Sequence, residues 1–131
     1  MKEHLLDKET DSEYQRADGK TTIAPEVLVT IARLTALDTP GVSHMANVPG
    51  GANRLFTRGV GEGVRIDIKE DIVTADLHVI LKNDVNIRDV SRQIQHNVAR
   101  AISEMVGMRV GRVNIHIEDI HYPTEQEQEQ T

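Results

Sequence analysis

The sequence predicts an α+β fold, a two-layer sandwich in which a mostly antiparallel sheet carries both helices on one face. Residues 64–69 and 73–81 alternate between apolar and polar side chains, and residues 113–118 do so again, as half-buried strands do. Between them, residues 87–105 repeat apolar side chains at helical spacing. Because alternation leaves only one face of a sheet apolar, we expect both helices to pack on that face.

The first part of the chain completes the predicted order of elements, β-α-β-β-α-β. Residues 19–23 are interpreted as a short first strand, and Pro25 suits the first turn of the following helix, where its missing N–H costs nothing. Helical spacing predicts an inward-facing stripe of Val27, Leu28, Ile31, Leu34 and Thr35. Residues 38–41 (Asp-Thr-Pro-Gly) end this helix, and residues 42–63, which contain five glycines, are expected to be irregular.

The two central strands have a well-specified register. If Glu70 and Asp71 form a two-residue turn, apolar residues 64, 66 and 68 lie opposite apolar residues 77, 75 and 73, in that order. The same register places Arg65 opposite Asp76 on the polar face. A slip of one residue would move every apolar side chain to the wrong face, so we expect this pairing.

The second helix has clear start and stop signals. Asn86 is a good N-cap with Asp89 three residues later, and Gly107 is placed to end the helix. Its apolar stripe is predicted to consist of Ile87, Val90, Ile94, Val98, Ala101, Ile102 and Met105. The opposite face carries Arg88, Arg92 and Arg100, which could bind an acidic partner or phosphate; a solvated helix face is the more common explanation of such charges.

Charge and length suggest one domain with two acidic tails. The chain has 131 residues and a formal net charge of −6. Residues 1–18 and 123–131 each carry a net charge of −3, while residues 19–122 carry twelve basic and twelve acidic side chains. Both tails lack apolar periodicity and are predicted to be disordered. The expected domain is therefore residues 19–122.

Composition argues against several classes of function. A neutral body and an aromatic content of 2% disfavour nucleic-acid binding, which uses basic patches and stacking side chains. With no cysteine, the chain can form neither a disulfide nor a catalytic thiolate. No apolar run approaches the roughly 18 residues that a membrane span needs, and no signal-peptide core is present, so we expect no direct membrane insertion and a cytoplasmic location.

The polar face of the sheet is the main candidate interaction surface. His78 and His116 share this face with Asp76 and Asn114, and Arg65 joins them across the hairpin. These side chains have no typical metal-ligand spacing, so solvated or interface histidines are favoured over a metal site. No catalytic, cofactor or metal residue is predicted, since no serine lies in a nucleophile motif.

A glycine-rich run offers a second candidate site. Gly59 and Gly61, with Arg54 and Arg58 nearby, suggest an anion-binding loop. However, the glycines lead into a strand rather than a helix, and no Gly-Lys-Ser/Thr follows, so a flexible connection is the favoured explanation.

An ordered set of segments across residues 20–122 resembles the alkaline shock protein family. The segments are residues 23–27, 31–32, 36–37, 40–42, 58–60 and 63–66, and most strongly Val79 and residues 87–90, 95–98, 104–108 and 113–117. The resemblance implies a small cytosolic bacterial protein of stress response and cell-envelope homeostasis, with self-association, a membrane-anchored protein partner and no established enzymatic activity. Residues 49–52 (Pro-Gly-Gly-Ala) depart from the family pattern.

The leading hypothesis is a non-enzymatic cytoplasmic scaffold or adaptor in envelope stress response, which self-associates and binds a membrane-anchored partner. The alternative is a small regulatory module that binds anionic ligands through residues 43–65. A nucleic-acid module is disfavoured by the charge and the scarce aromatics.

Overall fold

The computed structural model describes residues 17–47 and 59–124. In chain order their elements are α1 (Pro25–Asp38), β1 (Val42–Met45), β2 (Gly59–Gly61), β3 (Val64–Lys69), β4 (Ile72–Lys82), α2 (Ile87–Val106) and β5 (Arg109–His121). These elements form the predicted α+β fold, a helical layer on a five-stranded sheet. The predicted tails, residues 1–18 and 123–131, lie mostly outside the described residues, and their disorder stays a prediction.

Strand β4 is the centre of the sheet. It pairs in parallel with β5 along its whole length, from Ile72 to Lys82. On its other side, β3 pairs antiparallel with the first half and β1 pairs antiparallel with the last residues. Strands β1 and β3 therefore lie end to end along one side of β4, and β2 extends the sheet beyond β3. Among the described strands only β4 and β5 pair in parallel, because α2 carries the chain back between these two strands.

The β3–β4 hairpin confirms the predicted register, with Ile66 opposite Ala75 and Arg65 opposite Asp76. Its two turn residues both adopt left-handed backbone angles, with φ of 53° at Glu70 and 64° at Asp71. Left-handed angles at both positions define the turn whose twist matches that of two antiparallel strands. Apolar pairing across the strands thus stabilises a turn whose residues do not favour it.

The core lies between the sheet and the two helices, as predicted. Every second residue of β4 is fully buried, namely Val73, Ala75, Leu77, Val79 and Leu81. Helix α2 contributes Val90, Ile94, Val98 and Ile102 to the same core. The two ends of its predicted apolar stripe are not buried, since Ile87 is 44% exposed and Met105 is 71% exposed. Both caps are confirmed: Asn86 Oδ1 accepts a hydrogen bond from the N–H of Asp89, and Gly107 is left-handed.

Helix α1 faces the core with a different stripe from the one predicted. Leu28 and Ile31 are buried as expected, but Val27 and Leu34 are 45% and 53% exposed. Val29, Ala32 and Ala36 are buried in their place. The two alanines are fully buried, and their small side chains let α1 approach the rest of the core closely.

The predicted first strand at residues 19–23 is wrong. These residues form neither helix nor strand, and β1 follows α1 instead, within a stretch that was expected to be irregular. In the described residues the observed order is therefore α-β-β-β-β-α-β. A strand needs a neighbouring strand to pair with. The last residues of β4 pair with β1, where Val42 lies opposite Leu81.

Candidate interaction surface

The sheet face turned away from the helices gathers five of the predicted site residues. Arg65 of β3 lies opposite Asp76 of β4, which lies opposite Asn114 of β5. Two residues further along β4 and β5, His78 lies opposite His116. We call these five residues the open-face cluster. Their convergence follows from strand alternation together with the β4–β5 register, which the sequence left open.

Asp76 is the hub of the open-face cluster. Its Oδ1 accepts a hydrogen bond from Asn114 Nδ2 at 3.1 Å and lies 3.1 Å from His116 Nε2. The carboxylate is 31% exposed and the histidine 45%. Two partners on the neighbouring strand therefore orient a carboxylate that still faces solvent.

The two histidines of the cluster stack on one another. Their ring centroids are 4.4 Å apart and the ring planes differ by 14°. His78 is only 9% exposed, and its Nδ1 lies 3.6 Å from Glu118 Oε2. Because the lone pairs of stacked rings lie in parallel planes, they do not converge on one ion. Among residues 17–47 and 59–124, no three histidine, aspartate or glutamate side chains are placed to hold a metal.

The three arginines of α2 do not belong to the open-face cluster. They lie in the helical layer, on the opposite side of the sheet. Arg100 is exposed and pairs with Glu104 at 3.0 Å. Arg88 and Arg92 line a groove between α2 and β5, which we call the α2–β5 groove. The predicted interaction residues therefore divide between two surfaces.

The anion-binding alternative falls mostly outside the described residues, since Arg54 and Arg58 are not among them. Gly59 and Gly61 lie in β2, where they pair with Ile66 and Val64 of β3. The backbone of these glycines therefore takes part in the sheet.

Sequence reasoning did not identify the contact between Gln95 and β5. Gln95 Nε2 of α2 donates a hydrogen bond to the carbonyl oxygen of Val113 at 3.1 Å. Val113 and its strand form one edge of the sheet in the described part of the chain. No sequence signal indicates this bond, because it joins two layers whose relative position depends on the whole core.

None of the helices in the described ranges is both long enough and apolar enough to cross a membrane.

Solved structures that are similar to this chain include variants of the MamM CTD. The MamM CTD carrying a cysteine-to-serine substitution has a TM-score of 0.48 and 13% sequence identity, covering 74% of this chain and 98% of that chain.

Two curated relatives are more similar in sequence. Uncharacterized protein YqhY of Bacillus subtilis is 31% identical over 114 residues, covering 86% of this chain and 84% of the relative. Uncharacterized protein Spy1535 of Streptococcus pyogenes is 34% identical over 103 residues, covering 78% of this chain and 79% of the relative. A family model described as having a cell envelope-related function matches residues 13–122. The chain therefore belongs to the alkaline shock protein 23 family.

Proposed function

We propose that this protein is a non-enzymatic scaffold or adaptor in the envelope stress response. It would act at the cytoplasmic face of the membrane by associating with further copies of itself and by binding a membrane-anchored protein. The observation that carries the proposal is the open-face cluster. It is an ordered polar surface on the sheet face opposite the two described helices.

The geometry of the cluster suits contact with a protein. Asp76, Asn114 and His116 are held by one another before any partner arrives, so little side-chain entropy is lost on binding. Asp76 and His116 still have exposed atoms that can contact a second surface.

We propose no catalytic role for this protein. Ser43 Oγ lies 2.9 Å from Nδ1 of its neighbour His44, which superficially resembles a nucleophile and its base. However, the His44 ring packs edge-on against His121, 5.8 Å away, instead of being oriented by a carboxylate. In a serine triad a third group, commonly a carboxylate, holds the base in place.

Light scattering after size exclusion, on the full chain across a concentration series, tests the self-association. We expect the mass to rise with concentration. His116→Ala should weaken association, because it removes an exposed side chain of the open-face cluster. The matched control is Gln93→Ala, which changes an exposed side chain on α2 outside both the open-face cluster and the α2–β5 groove.

A second arm tests the membrane-anchored partner. Tagged full-length protein is used to capture proteins from detergent-solubilised membranes, and the captured proteins are identified. The proposal fails if the wild type stays monomeric throughout and captures no membrane protein.

A further inference from the structure

We propose that the α2–β5 groove binds an acidic, extended segment of a partner protein, which joins the sheet as a strand beside β5. The inference rests on the proposed adaptor function and names the chemistry of its partner. Arg88, Arg92, Gln95, Val113 and Ile117 define the groove. Its floor is the outer edge of β5 and its wall is α2.

The edge of β5 has backbone groups to offer an incoming strand. In the described part of the chain β5 pairs only with β4, so its outer edge meets no other strand. Gln95 bonds the Val113 carbonyl from outside the sheet, which indicates that this carbonyl points away from β4. Since backbone direction alternates along a strand, Ile115 and Ile117 point the same way as Val113.

Two bulges limit the usable stretch of this edge. The register of β5 against β4 gains one residue at Gly111 and another at Glu118. Between the bulges, residues 112–117 are regular and span roughly 20 Å at the usual strand rise. This length suits a short peptide segment.

The groove is positively charged. The titratable residues that line it are Arg88, Arg92, Arg112 and His96, and no carboxylate is among the described lining residues. Other arginines form ion pairs, as Arg33 does with Glu62. Within the described residues Arg88 and Arg92 form no ion pair. An acidic segment would supply the missing partners through charge-assisted hydrogen bonds.

The spacing of the arginines matches an extended chain. Arg88 and Arg92 are one helical turn apart, about 6 Å along the helix axis. Alternate residues of a strand are about 6.6 Å apart and point to the same face. Helix α2 runs along the strand, because Arg88 lies near Ile117 while His96 lies near Val110. Acidic residues at every second position could therefore face successive arginines.

Other occupants fit less well. If two copies of this chain paired through their β5 edges, the arginines of both grooves would come together and repel. An anionic membrane or a nucleic acid could contact the arginines but could not pair with the backbone of β5. A peptide strand uses both features, as in other complexes in which a peptide adds to a sheet edge.

Fluorescence anisotropy with the full-length protein tests the proposal. The probe is a fluorescein-labelled peptide of alternating threonine and glutamate, Thr-Glu-Thr-Glu-Thr-Glu-Thr, and lysine replaces glutamate in the control peptide. We expect only the acidic peptide to bind. Arg92→Glu should weaken binding at least about tenfold, since it reverses one charge of the groove. The matched control, Lys69→Glu, changes an exposed lysine on β3 and should change binding less than about twofold.

Backbone methylation separates strand pairing from charge attraction. Two further peptides carry N-methyl groups on alternate residues, one on the odd and one on the even positions. Only every second N–H of an added strand points at β5, so one pattern should abolish binding and the other should preserve it. Equal binding of both peptides would overturn the proposal, as would no binding of the unmethylated acidic peptide.

Two controls complete the experiment. Circular dichroism and the urea midpoint should be the same for Arg92→Glu and the wild type, which shows that lost binding is not lost folding. Anionic vesicles and a single-stranded oligonucleotide are tested in parallel. If either binds through Arg92 while the peptide does not, the groove serves another ligand and the proposal is wrong.

The result is separable from the proposed adaptor function. If the acidic peptide does not bind but the wild type self-associates and captures a membrane protein, only the proposal for the α2–β5 groove is wrong. If the peptide binds as expected while the wild type stays monomeric and captures nothing, the scaffold proposal fails and the groove remains.

Discussion

Gly63 occupies the point where β1 and β3 meet beside β4. Its carbonyl oxygen accepts a hydrogen bond from the N–H of His78, whose own carbonyl accepts one from Ala46. The backbone of Gly63 has a φ of +82°, and a Cβ there would lie against the Ala46 carbonyl and 2.8 Å from that of His78. In sequence this glycine belongs to a run that suggests flexibility, whereas in the fold it permits a close backbone contact.

We predict that Gly63→Ala destabilises the protein by about 3 kcal/mol or more, since neither backbone carbonyl can move away without breaking strand pairing. Gly107→Ala is the matched control, because Gly107 has a similar φ of +76° but open space around its Cα. It should cost only about 1 kcal/mol, the penalty of a left-handed angle for a residue with a Cβ. Urea unfolding followed by circular dichroism measures both, and equal losses would contradict the close-contact explanation.

Helix α1 shows at the scale of an element how packing overrides periodicity. Several of its apolar residues lie at helical spacing, so more than one stripe could have faced the core. The core accepts the stripe that contains Ala32 and Ala36 and leaves Leu34 exposed. Helix α2 has one dominant apolar stripe, and its orientation was predicted correctly apart from its ends.

The observed orientation of α1 predicts unequal effects of two leucine truncations. Leu28→Ala should destabilise the protein by about 3 kcal/mol, since it empties a fully buried site, whereas Leu34→Ala should cost less than about 1 kcal/mol. Chemical denaturation of both variants checks this. Equal costs would mean that the helix packs through both faces, for example by contact with a second copy.

Charge is distributed unevenly over the whole molecule. The body, residues 19–122, is formally neutral, and each predicted tail carries a net charge of −3. Neutral bodies can approach one another, while like-charged tails repel within a screening length of about 10 Å at 0.1 M salt. The tails would thus limit association and the body would permit it.

Replacing Glu125, Glu127 and Glu129 by glutamine in the full chain tests this balance. The variant loses three of the six net negative charges and should associate more strongly than the wild type at low salt. The difference should disappear near 1 M salt, where screening is nearly complete. Light scattering measures both conditions. Weaker association of the variant would show that the glutamates make attractive contacts instead.

Features that depend on near neighbours could be predicted from the amino-acid sequence. Alternation identified β3, β4 and β5, the register of the β3–β4 hairpin followed from matching apolar positions, and Asn86 and Gly107 marked the ends of α2. Each of these rests on contacts within an element or across one turn. The eight predicted interaction residues were assigned to the polar face of the sheet or to the polar side of α2, but the β4–β5 register that sets their contacts was left open.

The contacts between distant segments became visible only in the folded protein. The strand that pairs with the end of β4 is β1, and not a strand at residues 19–23. Helix α1 is oriented so that Ala32 and Ala36 face the core. The fold also joins Asp76 to Asn114 and His116, and it sets Arg88 and Arg92 over the edge of β5. The physical reason is that competition for a strand edge and close packing of a core are settled between elements far apart in the chain, so no local pattern records them.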